Sequence, residues 1–324
     1  MAKKLGVRAK LWVAVAACLA AMTAMEPATA EAQFGPQPKH QLYYSSTTVA
    51  RVNPLGLINF TQLTYRRRLF QTNSIFFRDN YFGIGVSPSA SPAFGRIGLM
   101  AELQPIPFLR FWANYEVVGY FGTFEFLPSF QTPNVNYSDS ALDDIADAGE
   151  NYATSGTQLT LSGTLQAKLG PVAVRSVLRA VRPNYDLREG DTVFYDIFYD
   201  AMIADEGWLT TIDTDLLYLH QDRFTVGLRH TWTRSYFDSD DTAPGVMGEY
   251  AEGVDPTLHR AGVLFAFTAY KEYKKRFNGP TLLVLAQWWL RHPFRANGVE
   301  NDVTQALPYL LVGFSFSGDL LADE

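Results

Sequence analysis

Residues 157–170 read TQLTLSGTLQAKLG and alternate without a fault. Leu159, Leu161, Gly163, Leu165, Ala167 and Leu169 fall at odd positions. Gln158, Thr160, Ser162, Thr164, Gln166 and Lys168 fall at even ones. Successive side chains of a β-strand point to opposite faces, so one face here is apolar and the other polar. The decision is whether the apolar face meets the core of a soluble β protein or lipid.

Residues 1–30 stand apart from that pattern. Lys3, Lys4, Arg8 and Lys10 form a basic start, Leu11 to Met25 an apolar stretch, and Ala28-Thr29-Ala30 or Ala30-Glu31-Ala32 a small-residue cleavage site. This is the layout of a Sec-type signal peptide, cut after Ala30 or Ala32, and too short to span a bilayer. The domain organisation expected is a leader over 1–30 and one domain over 31–324. The single cysteine, Cys18, falls within the leader. Disulfides, thiolate metal sites and cysteine nucleophiles are therefore not expected in the exported chain. The whole chain carries a net charge of −6, and removal of four basic residues and Glu26 leaves −9. That balance and the absence of a basic stripe argue against nucleic acid as a partner.

Beyond the leader no run of eighteen apolar residues occurs, so no transmembrane helix is expected. Segments of about ten residues with period-two alternation recur instead. They cover 42–51, 57–66, 76–86, 96–103, 109–121, 157–170, 172–182, 209–219, 224–236, 260–270, 281–291 and 306–316. Past residue 100 the connections alternate between short (104–107, 170–171, 220–223, with a medium one at 271–280) and long (122–156, 183–207, 237–257, 292–305). Long connections are also expected at 52–56 and 87–95. Outer-membrane barrels segregate their turns and loops in this way and carry aromatic girdles near strand ends. Tyr44, Tyr65, Phe121, Trp208, Tyr218 and Trp288 are placed for such girdles. The pattern predicts an all-β fold, an antiparallel transmembrane barrel of about twelve strands, with both chain ends on the periplasmic side.

On these features the chain resembles bacterial outer-membrane β-barrel proteins over nearly all of its exported length. YLLVGFSF, residues 309–316, is similar to the C-terminal assembly signal of such barrels, and departs from it by continuing through SGDLLADE. The resemblance implies a Gram-negative outer membrane as location, with lipid, lipopolysaccharide and the barrel-assembly machinery as partners. Asn53-Pro54-Leu55-Gly56-Leu57 also resembles the NPAGL motif of the long-chain fatty-acid transporter family, with Leu55 in place of the alanine. That likeness implies passage of hydrophobic compounds. An Asn-Pro turn before a strand gives the same letters.

The face opposite the apolar one lines the interior. Alternation points Arg96, Glu102, Arg110, Glu116, Lys168, Arg175, Arg179, Asp213, Asp215 and Arg229 inward. Arg110, Glu116, Arg175, Arg179, Asp213, Asp215 and Arg229 are the candidates for a selectivity surface acting on a small solute. The same residues would serve equally as a salt-bridge network closing a narrow barrel. In RAGVLFAFTAY and TLLVLAQWWLR, starting at Arg260 and Thr281, both faces are apolar; an oily strip or internal packing accounts for that.

The connections 122–156, 183–207 and 237–257 are acidic, and solvated loops at the mouth are expected, with Ca²⁺ retention or a receptor surface as alternatives. No catalytic role is expected. His230 lacks a serine two residues on and faces lipid by alternation, and Gly-x-Ser-x-Gly, HExxH and phosphate-loop motifs are absent. No cofactor or metal is expected. The leading function is a porin-like pore for passive passage of a small solute. The alternatives are a closed scaffold or receptor barrel and a transporter of hydrophobic compounds.

Overall fold

The computed structural model describes residues 38–322, apart from 73, 75, 76, 78, 122–126, 222, 249–252, 272–275 and 296–306. The leader over 1–30 with Cys18 lies outside the described residues, as do Glu125, Glu249 and Glu252 of the acidic connections.

Twelve strands close an antiparallel barrel. In chain order they are β1 (His40–Val52), β2 (Gly56–Arg67), β3 (Tyr81–Val86), β5 (Phe94–Ile106), β6 (Leu109–Tyr120), β8 (Thr154–Leu169), β9 (Val172–Tyr185), β12 (Leu209–His220), β13 (Phe224–Ser235), β14 (Thr257–Thr268), β15 (Asn278–Arg291) and β16 (Tyr309–Asp319). Each pairs with its neighbour in sequence order, and β1 pairs with both β2 and β16, so the ring has no free edge. Closure matters because unpaired N–H and C=O groups are not tolerated in hydrocarbon. Tyr43 pairs with Asp319, which puts the start of β1 and the end of β16 at one end. The turns at 107–108, 170–171 and 221–223 lie at that same end, and the connections at 121–153, 186–208, 236–256 and 292–308 at the other.

The short element β4 (Ser89–Ala90) corrects the reading of 87–95 as a plain connection. It continues β3 between β2 and β5. Pro88 interrupts the ladder because it has no N–H to donate, while its carbonyl accepts from the Thr61 amide at 2.9 Å. The connection expected at 52–56 also tightens, to Asn53-Pro54-Leu55.

Alternation resolves as apolar out and polar in. Leu161, paired with Ala113 on β6 and Ala180 on β9, is 42% exposed, whereas Ser162 beside it is 6% exposed. The outward set includes Leu99, Val117, Leu165, Leu216, Leu228 and Val263, all exposed. Around a closed ring these residues form a continuous apolar band, the surface a bilayer requires. Exposed aromatics border it: Tyr65, Tyr218, Phe224 and Tyr270 towards the short turns, and Phe121, Trp208, Tyr236 and Trp288 towards the long connections.

The mouth at the long-connection end is filled. Residues 129–130 (β7), 193–196 (β10) and 201–204 (β11) make a three-stranded sheet, and Asp139–Asp147 a short helix, α1, capped by Ser138. The hairpin β10–β11 is buried on both faces. Phe194 and Ile203 join Ile58, Phe94, Val118, Tyr185, Leu209 and Leu258 of the barrel wall. Val193, Tyr195, Met202 and Ala204 meet Tyr137 and Phe294 from other connections. A run in which every residue is buried cannot alternate, and VFYD and AMIA do not. Among the described acidic residues of the long connections, Asp143, Asp144, Asp186, Glu189 and Asp240 are exposed, and the expectation of solvated loops is corrected for the β10–β11 hairpin, where Asp196 and Asp200 are 1% and 0% exposed.

The two strands with apolar faces on both sides, β14 and β15, pack internally. Inward Leu264 and Leu285 are buried against Tyr309, with Leu217, Leu283 and Leu311 around them.

Candidate functional site: the lumen and its cover

The lumen holds a cavity of about 1420 Å³ that runs from Asp213 and Arg229 past the hairpin turn at Phe198 to Leu142 of α1 and Leu55 at the mouth. Strands β9, β12 and β13 supply one wall, because Asp213 and Asp215 lie two residues apart on one inward face and Asp215 is in register with an arginine on each neighbour. Asp215 pairs with Arg175 and Arg229, and Asp213 with Val177 and Thr231. The side chains follow. Asp215 is fully buried and accepts from Arg175 Nη2 at 2.7 Å and from Arg229 Nε at 2.6 Å. Asp213 accepts from Arg179 Nη1 at 2.8 Å and from Thr231 Oγ1 at 2.7 Å. One carboxylate held between two guanidiniums leaves the cluster net positive, and charge-assisted bonds of this length fix the arginines in place.

The structure thus brings five of the seven sequence candidates into one cluster. Glu116 sits apart on β6, where its Oε2 lies 3.5 Å from Gln158 Nε2. Arg110, at the short-turn end of β6, lies beside Tyr81. Near it Arg66 closes on Glu102 with Nε–Oε1 2.5 Å and stacks over Tyr43 and Tyr81 at 3.6 and 4.6 Å. Lys168 is exposed beyond the wall. His230 is on the outer face, 3.2 Å from His259. Among the described residues no group of three or more His, Cys, Asp or Glu comes together to hold a metal.

Sequence reasoning missed Arg51, Arg66, Arg260 and Arg295. Alternation in 56–67 does place Arg66 on the face of Gln62 and Thr64. Arg260 was hidden because its strand is apolar on both sides.

Arg295 builds the cover. Its Nε donates to Asp200 Oδ2 at 2.7 Å, its Nη1 and Nη2 grip Asp139 at 2.5 and 2.6 Å, and Nη1 reaches Asn53 Oδ1 at 3.2 Å. Asp200 closes the β10–β11 turn with φ +55, Asp139 opens α1, and Asn53 sits in the β1–β2 turn. One guanidinium therefore ties three connections. Burial alone would raise the Asp200 carboxyl; Arg295 outweighs it and holds it well below the usual carboxylate range. His292 takes backbone amide bonds from Phe294 and Arg295 on Nδ1, both at 3.1 Å, which places its proton on Nε2. Burial lowers this imidazole to about 4, with Asp200 opposing in part.

At the hairpin turn, Asp196 Oδ1 accepts from the amides of Phe198 and Tyr199 at 2.7 and 3.1 Å. Arg51 holds the turn from below by donating to the carbonyls of Ile197 and Phe198.

No family model matches the sequence, and no curated protein does. Among solved structures, the COG4313 outer membrane channel from Pseudomonas putida F1 is similar over 91% of this chain and 100% of its own, at 12% identity and a TM-score of 0.40. OccAB1 from Acinetobacter baumannii is similar over 81% of this chain at 10% identity and a TM-score of 0.39, and this chain spans 58% of its length. LpxR from Salmonella typhimurium is similar over 85% of this chain and 99% of its own, at 10% identity and a TM-score of 0.34. The assignment rests on the chain's own ladder: closed on itself, with its apolar band turned outward, this protein is an outer-membrane β-barrel.

Proposed function

We propose that the barrel is a passage for a small solute, covered at its mouth by the β10–β11 hairpin and opened when that hairpin moves. The observation that carries this reading is the cavity of about 1420 Å³ inside a closed ring, walled by fixed charges. A structural barrel of this width needs no such void, since protein interiors otherwise pack to few spaces larger than a water. The long connections then face outward, and the short turns and both strand ends face the periplasm. The hairpin is attached to the wall mainly by side chains and by one ion-paired guanidinium, not by the barrel ladder, so it can shift without breaking the ring.

Single-channel conductance of residues 31–324, refolded into planar bilayers, tests this. The intact protein is expected to open rarely and R295Q often. Silence from both, in protein shown to be folded by heat-modifiable gel migration, overturns the passage.

A second reading, a permanently closed scaffold, is favoured by one observation: the hairpin buries both of its faces. In that case R295Q changes no conductance.

A further inference from the structure

Most arginines of the lumen have a carboxylate. Arg66 has Glu102, Arg175 and Arg229 have Asp215, Arg179 has Asp213, and Arg295 has Asp200 and Asp139. Three that line the cavity do not. Arg51, Arg96 and Arg260 have no carboxylate within 4.0 Å among the described residues. They are spaced by aromatic rings beneath the hairpin: Phe198 at the turn lies 5.9 Å from both Arg51 and Arg96, and Tyr309 lies 5.9 Å from Arg51 and 4.1 Å from Arg260.

Arg96 is the most telling of the three. It is 7% exposed, its Nε and Nη2 have no hydrogen-bond partner, and Nε of Arg260 also has none. Buried guanidinium donors left open are costly, because each has given up water without a replacement. Asp196 and Glu116 are the acidic groups nearest in electrostatic terms, yet neither bonds to Arg96. Arg96 and Arg260 share the cavity lining with apolar Phe60, Phe94, Leu285 and Leu311.

Resting on the reading of the barrel as a passage, we infer that the cavity is a binding site for an organic anion, a carboxylate carried on an apolar or aromatic body. The anionic group meets the guanidinium of Arg96 on β5 or, across the ring, that of Arg260 on β14; either planar fork suits a two-oxygen acceptor, and the body lies against Phe60 on the first side or Leu285 on the second. Arg51 is already engaged with the hairpin carbonyls, so a ligand that also draws on Arg51 or stacks on Phe198 competes with the cover. The solute is thereby coupled to the element that must move.

The test is calorimetric titration of the full folded barrel in neutral detergent with benzoate, and with benzyl alcohol as a neutral body of the same shape. Benzoate is expected to bind at least about tenfold more tightly than benzyl alcohol, the scale of a charge-assisted bond. R96Q and R260Q, each checked for heat-modifiable migration, are expected to weaken that preference and the double substitution to abolish it, while K168Q outside the cavity keeps it. Equal binding of the two compounds, or a benzoate preference that survives both arginine substitutions, overturns the inference. Conductance of R295Q is read separately. If R295Q conducts and benzoate does not bind, the passage stands and the solute class falls. If benzoate binds through Arg96 but R295Q is silent, the anion site stands on a barrel that does not conduct.

Discussion

Arg295 and Asp200, 95 residues apart in the chain, meet inside the mouth of the barrel through two bonds, Nε to Oδ2 at 2.7 Å and Nη2 to Oδ1 at 3.1 Å, with both side chains almost wholly buried. Removing one partner of a buried pair leaves the other charge without compensation, which costs about 3–5 kcal/mol. R295Q therefore loosens the β10–β11 hairpin while the barrel ladder stays formed. Hydrogen exchange checks this: the amides of 193–204 are expected to lose protection, and those of β8 and β9 to keep theirs. Unchanged protection in the hairpin would mean that apolar packing alone holds it.

The same latch responds to pH through His292. In the closed state its Nδ1 accepts two backbone amides, so the ring cannot take a second proton without losing them. Its affinity for that proton is lowered to about 4, against about 6.5 for an exposed histidine. The released state binds more protons than the latched state between those values, so the latch weakens as pH falls below about 6.5 and is fully present above it. Asp200 adds to the same direction at still lower pH, because its folded carboxyl is held below the normal range. Open probability in bilayers is expected to rise on acidification, and H292F to flatten that rise.

On the wall, Arg175 and Arg179 face the lumen and are ion-paired to Asp215 and Asp213. Reversing both to glutamate places four carboxylates near Arg229 and turns the local field from positive to negative. Reversal-potential measurements in a salt gradient are expected to show a shift towards cations in a background such as R295Q that conducts. An unchanged reversal potential would show that ions pass elsewhere in the lumen.

Phe194 tests the cover from its other side. It is 0% exposed, 4.9 Å from the ring of Tyr185 on β9, and part of the main apolar cluster. F194A leaves a void that costs about 3–5 kcal/mol. Since the ring is closed by backbone ladders that Phe194 does not touch, the loss falls on the hairpin. Protease cleavage within 186–208 is expected in F194A and not in the parent, with the barrel core surviving as a resistant fragment.

Much of this architecture is legible in the chain because lipid and lumen impose opposite demands on alternate residues. Residues 157–170 keep the two apart over their whole length, and the structure agrees at Leu161 and Ser162. The cover was not legible in the same way. VFYDIFYDAMIA lies between turn residues and has apolar side chains on both parities, which a solvated connection would not carry, but no period marks a segment that is buried on all sides. Its acidic neighbours drew the reading outward, when Asp196 in fact caps a turn and Asp200 anchors an arginine far along the chain. Arg295 itself follows no repeat, and a contact made between connections across the mouth leaves no local signal. The charges of β9, β12 and β13 were found because strand register converts sequence spacing directly into neighbourhood.

That register makes the outward face open to a direct test within residues 157–170. Leu161 lies at mid-strand on the outer face and Ser162 on the inner one, one residue apart on the same backbone. Arginine on the lipid face near the bilayer midplane costs about 2–4 kcal/mol, whereas an inward side chain at 162 is spared hydrocarbon and faces Arg179, whose charge Asp213 already compensates. L161R is expected to lower refolding stability in lipid vesicles by that amount, while S162R loses less than half as much. In detergent, whose chains yield to a snorkelling guanidinium, the gap between the two variants should narrow. A larger loss for S162R than for L161R in vesicles would mean that the apolar band does not face lipid, and the barrel would have to be read as a water-soluble one turned inside out.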